Sequence, residues 1–179
     1  KAAVARAALD AGAHIVNDVS ACMADPSMAG VIRASGAGAV LMHMRGTPRT
    51  MQTAPSYDDC VSEIRDFLRG RLNALCSAGV DPSHIVLDPG IGFGKTDEHN
   101  LALLRSIPIL ETAGRPILIG ASRKSFLGRL IGREIGDRLA GSLAVALAAA
   151  RRGALVVRVH DVKETCDALA IRAIVDGEG

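Results

Sequence analysis

Near the end of the chain, Arg158 and His160 stand two residues apart in "VVRVHDV". On an extended strand that spacing turns both side chains to the same side. A cation followed by an imidazole is unfavourable to bury there without an anionic or planar partner. A second basic group, "SRKS" at Ser122 to Ser125, follows the apolar run "PILIG". One of Arg123 and Lys124 is expected to face a site, while the other meets solvent or pairs with an acid. The turn leads into "SFLGRLIG", a helix whose first N–H groups and Ser125 hydroxyl are available to an anion. Asp88 closes "IVLD" and would need donors if buried, such as the two adjacent N–H groups of a guanidine-like ring edge. Gly90, Gly92 and Gly94 follow it, and the absence of side chains leaves room for a flat ligand or a mobile loop. Asn17 and Asp18 close a further run; alternation sends them to opposite faces, so one looks into the site, and Asp18 is equally suited to forming the turn. His43 in "LMHMRG" reads as a satisfied core residue, with Met42 and Met44 as packing.

These polar residues share one position, the C-terminal end of a strand. Five aliphatic runs, His14 to Val19, Ala39 to Met44, Ile85 to Asp88, Pro116 to Gly120 and Ala154 to Val159, are nearly continuous in hydrophobicity, as strands covered on both faces are. Each follows a helical pattern that closes on glycine. The helices are expected at Lys1 to Ala11, Ser27 to Ser35, Tyr57 to Ala78, Leu101 to Ala113 and Asp137 to Arg152, with Gly12, Gly36 or Gly38, Gly79, Gly114 and Gly153 as the stops. Alternating helix and strand implies an α/β fold with parallel strands. No G-x-G-x-x-G follows the first strand, which disfavours an open dinucleotide-binding sheet. "GIGFGK" at Gly90 to Lys95 lacks P-loop spacing and opens onto "TDEHN" instead of directly onto a helix. A (β/α)₈ barrel gathers strand ends at one mouth and is the better architecture. Five strands do not close such a barrel. The expectation is therefore strands four to eight of one barrel domain over residues 1–179, with about three N-terminal units absent.

The 179 residues carry a net charge of only +2, with no basic run, so neither nucleic acid nor a membrane surface is an expected partner. Cys22, Cys60, Cys76 and Cys166 are widely spaced with no C-x-x-C pair, which fits reduced thiols and a cytoplasmic setting. There is no Ser-His-Asp or paired-carboxylate pattern, so no strong general base is evident.

Six segments, "IVNDVSA", "LMHMRGTPRTMQ", "LDPGIGFGKTDEHNLALL", "IGASRKSFLG", "RLAGSLA" and "RVHDVKET", run in the same order as in the dihydropteroate synthases, and the chain closely resembles that family. The resemblance implies the joining of 6-hydroxymethyl-7,8-dihydropterin pyrophosphate to p-aminobenzoate, giving 7,8-dihydropteroate and pyrophosphate in folate biosynthesis. It assigns Asn17, Asp88 and Lys124 to the pterin, with Arg158 stacked over the pterin plane. His160, with Arg158, binds the pyrophosphate. Phe93, Ser122 and Ser125 border the p-aminobenzoate. His160, Arg158 and Lys124 are the implied catalytic groups, in a route where pyrophosphate leaves before the aryl amine attacks. Mg²⁺ is the implied cofactor, its ligand expected outside this chain, so the 179 residues alone are expected not to turn over. A homodimer of the full-length protein and sensitivity to sulfonamides are implied as well. Two rival readings are a methyltetrahydrofolate:corrinoid methyltransferase, which has no use for "SRKS" and "RVHDV", and a non-catalytic pterin-binding homologue.

Overall fold

Helix α3, Cys60–Ser77, shows how the sequence builds one such unit. Asp59 caps it by accepting the N–H groups of Val61 and Ser62, and Ile64, Leu68, Leu72 and Leu75 recur at three- and four-residue spacing on its buried side. The computed structural model describes residues 1–47 and 49–177. The helices are α1 Ala2–Asp10, α2 Met28–Ser35, α3, α4 Asp97–Arg105, α5 Ile107–Glu111, α6 Ser125–Ile131, α7 Leu139–Arg151 and α8 Val162–Asp176. The strands are β1 Ile15–Asp18, β2 Gly38–Met42, β3 Ile85–Asp88, β4 Leu118–Ile119 and β5 Val156–Val157. Of the two glycines considered for the end of α2, Gly36 takes the left-handed cap at φ 66°.

β1, β2 and β3 pair in parallel, Asn17 opposite Val40 and Met42 opposite Asp88, and β4 pairs in parallel with β5. A bridge between Leu87 and Ile117, with the Leu87 N–H donating to Pro116 O at 3.0 Å, joins the two groups. Strand order therefore follows chain order from β1 to β5. A doubly wound sheet would reverse direction at a switch point, whereas a barrel wall advances steadily in this way. One contiguous core runs from Ile32 and Leu41 through Leu68 and Leu87 to Ile119 and Phe126.

The observed elements depart from the sequence reading in places. β4 and β5 are shorter than Pro116 to Gly120 and Ala154 to Val159, because Pro116 has no N–H to donate and, among the described residues, β5 pairs with β4 alone. The expected helix Leu101 to Ala113 is two helices, since Pro108 cannot extend the ladder of α4 but fits the first turn of α5. "TDEHN" is itself the start of α4: the Thr96 hydroxyl accepts the His99 N–H while the His99 ring accepts the Thr96 N–H.

The loop after β3 lies directly on the backbone after β2. A Cβ at Gly90 would stand 1.9 Å from His43 O, and Gly90 adopts φ +69°. Gly90→Ala is therefore expected to lower unfolding free energy by roughly 2 kcal/mol or more, read from the urea midpoint.

Candidate functional site

Asp88 is fully buried, and its two oxygens find different donors. Oδ1 accepts the Gly90 N–H at 2.7 Å and Oδ2 accepts Arg158 Nη2 at 2.8 Å. Arg158 Nη1 continues to Asn17 Oδ1 at 2.8 Å. One guanidinium thus connects the ends of β1, β3 and β5. It lies against Gly120, where a Cβ would be 2.4 Å from Nη2. Burial pushes the Asp88 carboxyl above the usual carboxylate range, and Arg158 and the Gly90 N–H pull against that. Asp18 does not join them; it closes its own turn by accepting the N–H and hydroxyl of Ser20.

The "SRKS" turn divides its two cations. Arg123 sits in the left-handed region at φ +57°, held by its N–H to Ser142 Oγ at 2.9 Å and by Arg138, which donates to its carbonyl at 3.1 Å. Its side chain pairs with Asp161. Lys124 is thereby aimed inward, with Nζ 4.0 Å from the centre of the Phe93 ring, and burial holds its ammonium below the usual lysine range. Ser122 Oγ meets His160 Nδ1 at 3.1 Å.

His43 is buried, edge-on to Phe67, with its Nδ1 3.0 Å from Lys95 Nζ. While Lys95 carries its proton it can only donate, and Nδ1 then accepts. Lys95 Nζ also donates to Phe93 O at 2.9 Å. Burial, with Lys95 and Arg45 adding to it, lowers His43 to about 3. Burial likewise lowers Lys95 to about 7. Sequence reasoning took His43 as core and passed over Lys95; its one signal was a lysine closing a glycine-rich apolar run.

Asn17, Met42, Phe93, Ser122, Lys124 and His160 line one hollow of about 400 Å³, which Arg158 also borders. Ser125 begins α6 but faces an adjoining hollow of about 490 Å³ with Gln52, Lys95 and Asn100. Larger hollows of about 600 and 710 Å³ flank α1 with β1, and α7 with α8. Neither is lined by the Lys124, Arg158 and His160 groups that meet beside the buried Asp88, so chemistry and not size places the site. Among the described residues, no three His, Cys, Asp or Glu side chains group as a metal site requires. The four cysteines are free thiols, and among the described residues no helix is long and apolar enough to cross a membrane.

A parallel sheet wound in chain order, with a carboxylate, an amide and three basic groups gathered at its strand ends, is the arrangement of a barrel protein whose polar groups meet at one mouth. The chain belongs to the pterin binding enzyme family, whose pattern it matches over residues 1–160. The dihydropteroate synthase of Mycobacterium leprae is 47% identical over 178 residues, covering 96% of this chain and 63% of that protein. A Yersinia pestis dihydropteroate synthase in a sulfonamide drug complex superposes with a TM-score of 0.95 at 38% identity, over 100% of this chain and 65% of that one. The Xanthomonas albilineans enzyme in complex with 7,8-dihydropteroate gives 0.91 at 44% identity, over 98% and 64%. The chain thus spans less than two thirds of these proteins, and its five strand-helix units form part of a (β/α)₈ barrel.

Two outcomes follow from the geometry. Gly120→Ala is expected to force the guanidinium off Asp88, raise that carboxyl further and cost roughly 1–3 kcal/mol; carboxyl NMR titration and urea unfolding check both. The unfolded chain takes up a proton on His43 below its ordinary 6.5, whereas the folded site resists protonation until about 3. Stability therefore falls as the pH drops through that window. Relative to His43→Gln, the wild-type protein is expected to lose about 2 kcal/mol between pH 7 and pH 5, measured by urea unfolding.

Proposed function

We propose that the protein to which this chain belongs is a dihydropteroate synthase, joining a 6-hydroxymethyl-7,8-dihydropterin pyrophosphate to p-aminobenzoate. The observation that carries this is the buried Asp88 carboxylate, held by a guanidinium that a pterin's aminopyrimidine edge can replace group for group. A pterin edge presents the same side-by-side N–H groups as Arg158 does now. Asn17 and Asp88 then take that edge, Lys124 assists, and the released Arg158 stacks on the ring. His160, with Arg158, holds the pyrophosphate, and Phe93, Ser122 and Ser125 border the aryl amine. Support for the substrates comes from the relatives, one of them bound to 7,8-dihydropteroate.

The chemistry needs positioning more than proton abstraction. The C–O bond to pyrophosphate breaks with its electron pair on the departing oxygen. The electron-rich ring stabilises the remaining cation, and the amine lone pair then forms the C–N bond before the nitrogen sheds its proton. Cations at the mouth stabilise the departing anion, and the two pockets align the reacting atoms. Mg²⁺ belongs to this proposal through the family, but the described residues offer no ligand cluster for it and no step here depends on it. A cytoplasmic setting is supported by the free thiols. A homodimer is supported by the exposed apolar side chains of α8, Ile171, Ile174 and Val175. One domain over residues 1–179 is supported by the single core.

Asp88→Asn would place an N–H where the pterin also offers one. We expect pterin affinity to fall about a hundredfold, roughly 2.7 kcal/mol, in isothermal calorimetry; unchanged affinity would remove Asp88 from the assignment.

A further inference from the structure

Three consecutive carbonyls of the glycine-rich loop each receive a side-chain donor from a different place in the chain. Gln52 Nε2 donates to Gly92 O at 2.7 Å, Lys95 Nζ to Phe93 O at 2.9 Å and the Tyr57 hydroxyl to Gly94 O at 2.8 Å. From below, a Cβ at Gly90 or Gly94 would strike the backbone of His43 or Arg45. The loop is fixed on both sides, and Phe93 at its crest carries the ring beneath Lys124.

Of the three donors Lys95 is the deepest, only 2% exposed. Burying an ammonium is unfavourable, and its direct partners are a carbonyl and the neutral His43 ring, with no carboxylate in contact among the described residues. Its wider surroundings hold the Cys60 thiol at the start of α3, Asp88 at the end of β3 and the Lys124 ammonium before α6. An apolar side chain of equal length would fill this space without the desolvation cost. What the amine adds, charged or neutral, is an N–H donor held on the carbonyl of Phe93, the residue whose ring lies beneath Lys124.

We propose that Lys95 is a positioning residue, which, anchored on His43, fixes the Phe93 carbonyl and so sets how tightly the adjoining pocket takes a small aryl amine. The ring it steadies lines one hollow, and Lys95 itself lines the next, which Ser125 shares. The effect on ligand rests on the p-aminobenzoate pocket proposed above, whereas the hold on the loop does not.

Amide hydrogen exchange tests the hold directly. In Lys95→Met, amides of residues 92–95 are expected to exchange about tenfold faster while those of β2 and β3 keep their rates. Lys95→Gln keeps a neutral N–H and is expected to loosen the loop less. Loop exchange unchanged in both variants overturns the proposal. Calorimetry on protein saturated with 6-hydroxymethyl-7,8-dihydropterin and pyrophosphate, a pair that does not react with the amine, supplies the second readout. Lys95→Met is expected to weaken p-aminobenzoate about tenfold and leave pterin affinity within about twofold. In a Phe93→Ala background the same change should cost nothing further, because Lys95 acts through that ring. A full additional loss there overturns the proposal. If the wild-type protein binds neither substrate, the synthase reading fails, and the exchange rates alone decide the role of Lys95.

Discussion

A carboxylate removed from water must be given donors, and Asp88 obtains them from the Gly90 N–H and the Arg158 guanidinium. This requirement organises the site. To reach Asp88, Arg158 crosses from the end of β5, lies over the bare backbone of Gly120 and extends to Asn17 on β1. Three strand ends far apart in sequence are tied by five-donor chemistry that a lysine could not reproduce. The tie is also replaceable, because Arg158 is partly exposed while Asp88 is not. A ligand carrying the same planar donors can take the buried partner and leave the guanidinium free to stack.

A second constraint is close approach between backbones. The loop after β3 nests on the segment after β2, with Gly90 and Gly94 at the contacts, and it is held from above by Gln52, Tyr57 and Lys95. The "SRKS" turn is fixed in a comparable way. Its left-handed Arg123 is held through Ser142 and Arg138 of the α7 region and through Asp161 before α8. A strained residue persists only where its surroundings over-determine it. Here the surroundings are three side chains from two separate elements, and the result is an inward Lys124.

Much of the fold was legible in the sequence because its signals are local. Aliphatic runs mark doubly covered strands, glycine marks helix ends, and chain-order alternation marks a parallel wall. The errors fell where local signals compete: Pro108 splits an apolar helical pattern in two, and Thr96 with His99 forms a cap that the glycines before it obscured. Most candidate site residues were also visible, as polar groups stationed at strand ends. Lys95 was not, since nothing in "GFGK" distinguishes a buried ammonium from a solvated one.

The sequence by itself determined the strand-helix repeat, the placement of Asn17, Asp88, Lys124, Arg158 and His160 at strand ends, and the pattern of motifs shared with the pterin binding enzymes. Only the tertiary structure decided which groups meet: Arg158 with Asp88 and Asn17, Arg123 with Asp161, Lys95 with His43 and Phe93. Periodicity fixes which face a side chain takes, because backbone geometry repeats over two or four residues. Partnership depends on desolvation and on donors arriving from as far as 141 residues away, as between Asn17 and Arg158, and those are properties of the folded chain alone.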